Sequence, residues 1–465
     1  MLGRRFDRVT VAYGCAHFGK ISLWYASEIL FAYYLSEVCG LPPSQMGLIL
    51  AASFVLSAAA DLLVARALHE RLHQVARAID LQLLGAVSSS IALLALFLGA
   101  SVPAAWQLAY GLVFAAAFRL SYVVLDLPQN VLMSIATTDA SSRARLASMR
   151  TFCSSVAALL ISASLLPLMS RQATLPVAAR FILLAMLLAI LAVLSASALK
   201  KALATRAHSI RDIRTIRAIR AIRATPATPA TPPASASVVA EGRLGLRLSA
   251  PMWRNIAIGF LVTMTVSCFG KVAPFYNAYF LSAVQWGSYV LPAASLGAAL
   301  SQVVWASLAT RISTNWLLGV AACMLAMAAT AFCVGAAHPV LAISAAFCIG
   351  AGSSGMGMTL WAAFAGMVAD QHRVSVALAY GTLTASLKIA LACGAGAIGL
   401  VLSMVDYRKE QSAVLVYLMS VPSIAAVLIM ALVSVATYAA HAAYAASQMT
   451  GRSRTALTTG QAARR

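Results

Sequence analysis

Charge is scarce in this chain. Asp, Glu, Lys and Arg make up 10% of its 465 residues, against 61% hydrophobic residues and a mean hydropathy of +0.85. So little polar surface cannot cover so much apolar surface in water, which excludes an ordinary soluble domain. Acid is scarcer than base, with 13 Asp and Glu against 34 Lys and Arg, for a net charge of +21. In a soluble protein that excess would suggest nucleic acid. No basic region of domain size is present to carry such binding, so no nucleic-acid partner is expected. The eight cysteines include no C-x-x-C pair, and no His clusters with them, so they read as small buried hydrophobes rather than metal or redox groups. No His-Glu-x-x-His or His-x-Glu motif occurs, and no Ser/His/Asp set or carboxylate pair stands in a soluble loop. The Gly-rich runs starting at Gly350 and Cys393 lack the Lys-Ser/Thr of a phosphate loop and read as close helix packing or a hinge. An enzyme and an ATP-driven pump are both disfavoured, and no cofactor is expected. A cleavable signal is not expected either, because the first apolar span is long, carries charges and lacks a clear cleavage site.

What remains is apolar sequence in membrane-length pieces. Twelve spans are expected, near residues 10–37, 43–66, 79–100, 103–136, 149–170, 175–198, 253–282, 286–309, 316–336, 339–369, 375–404 and 413–440. The fold class is therefore an all-α polytopic membrane protein with two six-helix bundles, 1–198 and 253–440. A basic, Pro-rich linker at 199–252 joins them, and a tail follows at 441–465. Basic residues sort by side. With the N-terminus inside, 26 of the 34 fall in inside segments, and only Arg171, Arg180, Arg408 and Lys409 fall outside. That asymmetry predicts both termini in the cytoplasm and a location in the inner (plasma) membrane. The linker carries five Ile-Arg units between Ile210 and Arg223, then three Ala-Thr-Pro units from Ala224 to Pro232. A period of three drifts around a 3.6-residue helix and gives no clean amphipathic face, so the segment reads as a tether. A basic segment resting on anionic lipid is the alternative. The halves echo each other, with Ala32-Tyr-Tyr-Leu-Ser matched by Ala278-Tyr-Phe-Leu-Ser and Asp139/Arg143 matched by Asp370/Arg373.

Setting aside residues near the span ends, four cations and three acids fall inside spans: Lys20, Arg119, Lys271 and Lys388 with Glu28, Asp61 and Asp126. Each would cost several kcal/mol facing lipid, so the set predicts a polar cavity. Asp126, two residues before Pro128, is the centre of that reading. Lys20, Trp24 and Glu28, four apart, form a stripe on one helix face. A Trp between charges can stack on a sugar ring or a cation. Asp61 follows Ser57 by one turn, and a carboxylate there can take up a proton or Na⁺. More cations than acids leaves room for an acidic solute.

Several stretches together resemble the glycoside–pentoside–hexuronide:cation symporters, the melibiose-permease-like branch of the major facilitator superfamily. They are Tyr13-Gly-Cys-Ala-His-Phe-Gly-Lys, Tyr33-Tyr-Leu-Ser-Glu-Val-Cys-Gly-Leu, Asp126-Leu-Pro, the run from Asp139 to Arg150, Met367-Val-Ala-Asp, and Lys388. The resemblance implies that Asp126 and Arg150 bind sugar, with Lys20, Trp24 and Trp361 assigned beside them. It implies that Asp61 serves the coupling cation and Lys388 the charge network around it. Ser57 and Glu28 complete that coupling set. The family's helix-two pattern, Arg-x-Trp-Asp-Ala-x-x-Asp-Pro, is here Phe54-Val-Leu-Ser-Ala-Ala-Ala-Asp-Leu, so Ser57 replaces one acid. Ile21 replaces the helix-one acid, and Gln129 and Asn130 stand where an aromatic is expected. A single carboxylate suits H⁺ better than Na⁺. The expected function is cation- or proton-coupled symport of a sugar, glycoside or sugar acid by alternating access. A monomer in the lipid bilayer, binding a small solute, is expected. The competing reading is a non-transporting sensor or envelope-assembly partner that retains the fold.

Overall fold

The computed structural model of the chain describes residues 8–67, 75–135, 140–170, 174–224, 248–281, 286, 289–309, 311–369, 376–409 and 412–430. All regular structure among them is helical. Helices close every backbone hydrogen bond within one segment, which apolar surroundings demand. Helix α1 is a continuous rod of four pieces: Arg8–Tyr25, a π turn Ala26–Leu30, Phe31–Tyr33, and a second π turn Tyr34–Val38. Then come α2 (Pro43–Ala67), α3 (Val75–Leu96), α4 (Ala104–Ile135) and α5 (Ala140–Ala163, with a last turn Leu165–Met169). The remaining seven are α6 (Val177–Ala224), α7 (Ala250–Tyr279), α8 (Val290–Ala309), α9 (Thr314–Gly335), α10 (Pro339–Ala369), α11 (Val376–Met404) and α12 (Ala413–Ser420, running on to Met430). Eleven helices among the described residues are long and apolar enough to cross a membrane, and α1, divided by its π turns, supplies the twelfth rod.

Two boundaries differ from the sequence reading. Helix α5 begins at Ala140 rather than near 149. Helix α6 does not stop at 198 but continues through the Ile-Arg units to Ala224. Nothing in that stretch breaks a helix, and Ala, Leu, Lys and Arg favour one. The Ala-Thr-Pro units, the Asp139 and Asp370 positions and the tail lie outside the described residues.

The two six-helix halves meet along three lines. Helix α2 lies along α11, α5 meets α8, and the π-turned end of α1 meets α7. Small residues set the closest approaches. A Cβ added to Gly399 in α11 would sit 2.6 Å from Gly47 Cα in α2, so these two backbones touch. A Cβ on Gly85 in α3 would meet Leu125 Cα at 2.5 Å, which seats α3 directly on the turn of α4 that holds Asp126. Pro128 lies inside α4 without ending it, and its missing N–H leaves the Val124 carbonyl without its helical donor. The Gly-rich run of α10 is packing, as expected: Gly350 lies against the backbone of α8 at Ala294, and Gly355 against the ring of Trp305. Most core residues form one cluster that spans both halves.

Candidate functional site

The stripe on α1 gains a partner at each turn. Lys20 Nζ donates to Asp126 Oδ1 on α4 at 2.6 Å. The ammonium is 1% exposed and the carboxylate 27%, so the acid is the member of the pair that a solute can reach. The positive charges of Arg150 and Lys388 also act on Asp126, which gathers α1, α4, α5 and α11 around one carboxylate. Nearby, Tyr13 Oη donates to the Gln129 carbonyl at 3.2 Å, and His17 Nε2 lies 2.8 Å from Ser154 Oγ.

A second pair joins the halves. Lys388 Nζ on α11 donates to Asp61 Oδ1 on α2 at 2.6 Å. Asp61 also feels the negative charge of Asp126, so the two pairs form one electrostatic group. One turn before Asp61, the Ser57 hydroxyl is fully buried and makes no hydrogen bond. Asp126, Arg150, Lys20, Asp61 and Lys388 therefore act on one another as one group of charges.

Glu28 does not join them. Its carboxylate takes the Lys271 ammonium of α7 in a close ion pair and has Arg119 Nη2 of α4 at 3.8 Å. The first π turn of α1 carries Glu28, and a π turn widens the helix and redirects its side chains. Trp24 separates the two groups. The Arg119 guanidinium lies 4.6 Å over its ring and 3.9 Å over that of Phe54, and Trp24 stands 5.1 Å from Tyr122. Trp24 thus faces the site but already holds a cation of the protein itself. Trp361 is 43% exposed and stacks on Tyr380 of α11 at 6.3 Å.

A third polar group escaped sequence reading. Glu37, on the second π turn of α1, accepts from Tyr279 Oη of α7, from Tyr407 Oη at 2.6 Å and from Arg408 Nη2 at 3.1 Å. Tyr33, Phe275, Tyr279 and Tyr407 pack edge to face around it. This latch ties the N-terminal half to the C-terminal half at the end of the bundle carrying the α1–α2 turn. The contacts Gly47–Gly399 and Ser162–Ser295, the latter with Oγ atoms 3.1 Å apart, close the same end. The one sequence signal for the latch was the repeated Ala-Tyr motif, which puts Tyr33 and Tyr279 at equivalent helix ends. A cavity of about 660 Å³ between α5, α8 and α10, lined by Leu159, Trp286, Tyr289, Leu296 and Ile343 among others, holds none of these charges.

Solved structures share this architecture. The peptide transporter POT, in a single-residue variant, superposes with a TM-score of 0.60 at 12% identity, covering 92% of this chain and 95% of that one. A D-xylose-proton symporter gives 0.58 at 11% identity, covering 91% and 96%. The nucleoside transporter NupG gives 0.58 at 13% identity, covering 91% and 98%. At such identities the likeness establishes the fold alone. No curated protein matches the chain. The model of a family of membrane transporters, not enzymes, matches residues 12–442, and on that match this chain belongs to the MFS/sugar transport protein family.

Proposed function

We propose that the chain is a secondary active transporter that couples uptake of a sugar, glycoside or sugar acid to H⁺ entry by alternating access. The family supports the sugar class. The observation that carries the mechanism is the Asp61–Lys388 pair, which joins α2 to α11 across the two halves and lies within the field of Asp126. Protonating Asp61 removes one of the two charges holding those helices together. Proton binding and separation of the halves then share one free energy, as coupling requires. With Ser57 where a second acid would stand, the site offers one carboxylate and the hydroxyls of Ser57 and Thr384. That set suits a proton better than a cage of oxygens around Na⁺. Asp126 and Arg150 supply an acceptor and donors for sugar hydroxyls, and the Lys20 hydrogen bond orients Asp126.

The excess of basic residues in the connections on one side supports a plasma-membrane orientation with both termini in the cytoplasm. The latched end then faces outside, and the conformer is the one closed to the exterior. The chain works as a monomer, since each half finds its partner within the chain.

Uptake of labelled sugars into proteoliposomes, with an imposed pH gradient, an Na⁺ gradient or neither, tests the reading. Gradient-driven accumulation is expected with H⁺. Asp61→Asn should abolish accumulation against a gradient while leaving solute exchange. Asp126→Asn should lower solute affinity by about 10- to 100-fold, the size of a lost charge-assisted hydrogen bond. If neither substitution alters uptake, the site lies elsewhere. If no sugar or sugar acid is accumulated under any gradient, the transport reading fails.

A further inference from the structure

We infer that Arg119 and Lys271 form an anion-binding subsite, which takes the carboxylate of an acidic solute and which Glu28 fills while the solute is absent. The inference rests on the transport reading and narrows it to carboxylated sugars. The first observation is charge. Two cations and one carboxylate are buried together, with Arg119 2% exposed and Lys271 equally enclosed. A net positive charge in a membrane interior is costly unless an anion joins it. The second observation is an empty donor. Arg119 Nη1 is buried and has no hydrogen-bond acceptor, and Glu28 Oε2 accepts none. The aromatic rings of Trp24, Phe54 and Phe118 cover the guanidinium with π faces. Those faces attract the charge but offer no oxygen lone pair to an in-plane N–H. A guanidinium fork is built for a two-oxygen acceptor, and only one oxygen of Glu28 approaches it, at 3.8 Å.

The third observation is where the parts sit. Arg119 and Glu28 belong to the N-terminal half, Lys271 to the C-terminal half. The Glu28–Lys271 contact therefore stretches when the halves part at the latched end. Lys271 then loses its carboxylate, and a solute carboxylate can replace it between Lys271 and Arg119. The subsite lies about two turns along α1 from Lys20 and about two turns along α4 from Asp126. A sugar ring bound at Asp126 and Arg150 can present a carboxylate from its opposite edge toward Arg119, past Trp24. Glu28 acts as an internal competitor, so the empty transporter does not bury two unpaired cations.

Full-length protein in detergent, titrated with D-glucuronate or D-glucose and read by thermal shift, tests this. Glucuronate should stabilise the protein, and glucose should do so at least about tenfold more weakly in concentration. Arg119→Gln should weaken glucuronate by about 10- to 100-fold and leave glucose unchanged. Because Arg119→Gln can fail to fold, Glu28→Gln is the second arm. Removing the competitor should tighten glucuronate by about tenfold, a gain that a purely structural ion pair would not give. Glucuronate binding no better than glucose overturns the subsite, while glucose uptake in proteoliposomes would leave the transport reading standing. Weaker glucuronate binding in Glu28→Gln also overturns it. Absence of uptake with intact glucuronate binding would instead sink the transport reading and keep the subsite.

Discussion

Lys20 shows how burial and function are traded within one residue pair. It is almost fully enclosed, and its charge is tolerable only because Asp126 Oδ1 lies 2.6 Å away. Removing one partner of a buried pair strands the other, typically at about 3–5 kcal/mol, whereas removing both can be nearly neutral. The members are unequal, since Asp126 keeps contact with the space around it and Lys20 does not. Asp126→Asn should therefore destabilise the protein more than Lys20→Met, by about 1 kcal/mol or more. The double substitution should recover most of the loss while remaining inactive. Thermal unfolding of the three variants in one detergent checks the order, and a double variant less stable than either single one would refute it. Such residues were legible in the sequence because an acid or a base inside a lipid-length run has few innocent explanations. Their pairing was not. Arg119, seven residues before Asp126 and on nearly the same face of α4, instead has Glu28 of α1 at 3.8 Å, while Asp126 takes Lys20 of α1. Partners two helices apart follow from packing, which one sequence does not display.

At the scale of elements, α1 is the informative one. Its two π turns coincide with its two acids, Glu28 and Glu37, and each acid reaches the opposite half. A regular helix would keep Lys20, Trp24 and Glu28 on one stripe, which is what spacing alone predicts. The inserted residues turn Glu28 toward α7 and Glu37 toward Tyr279 and Tyr407. No composition signal announces a π turn, so the sequence placed Glu28 with Asp61 and overlooked Glu37. The same regularity hid the reach of α6 through the Ile-Arg units, because a helix can form without an amphipathic face. Glu37 supplies an element-level prediction. Its carboxylate accepts from three hydroxyls, those of Ser36, Tyr279 and Tyr407, and from one guanidinium, so Glu37→Gln weakens four contacts at once. The latched end should open more often in that variant, and Ser36→Cys, buried beside the latch in a background whose eight native cysteines are replaced, should react with a membrane-impermeant maleimide about tenfold faster or more. Unchanged labelling in Glu37→Gln would show that the aromatic packing, not the carboxylate, holds that end.

Across the whole molecule, the two halves were the most legible feature and their contacts the least. Twelve apolar runs, a basic break after the sixth and repeated motifs at equivalent helix ends led to two bundles. That holds because span length and charge sidedness are set by the membrane rather than by packing detail. Which helices touch across the centre is set by small residues such as Gly47, Gly399, Ser162 and Ser295, and these do not stand out in a chain rich in Gly, Ala and Ser. Under the proposed alternating access, the contact pattern names the helices that have to part: α2 lies along α11, and α5 meets α8. At the latched end, Ser162 on α5 and Ser295 on α8 have their Oγ atoms 3.1 Å apart. Cysteines at both positions, Ser162→Cys with Ser295→Cys, should form a disulfide under mild oxidation and lock that end shut. Net uptake should then fall to background, and a reductant should restore it, while each single variant transports with or without oxidant. The native thiols nearest in sequence, Cys153 and Cys268, are free and buried, so the single variants control for any contribution from them. Full uptake in the cross-linked protein would mean that α5 and α8 do not separate during transport, and the rocking of one half on the other would have to be abandoned.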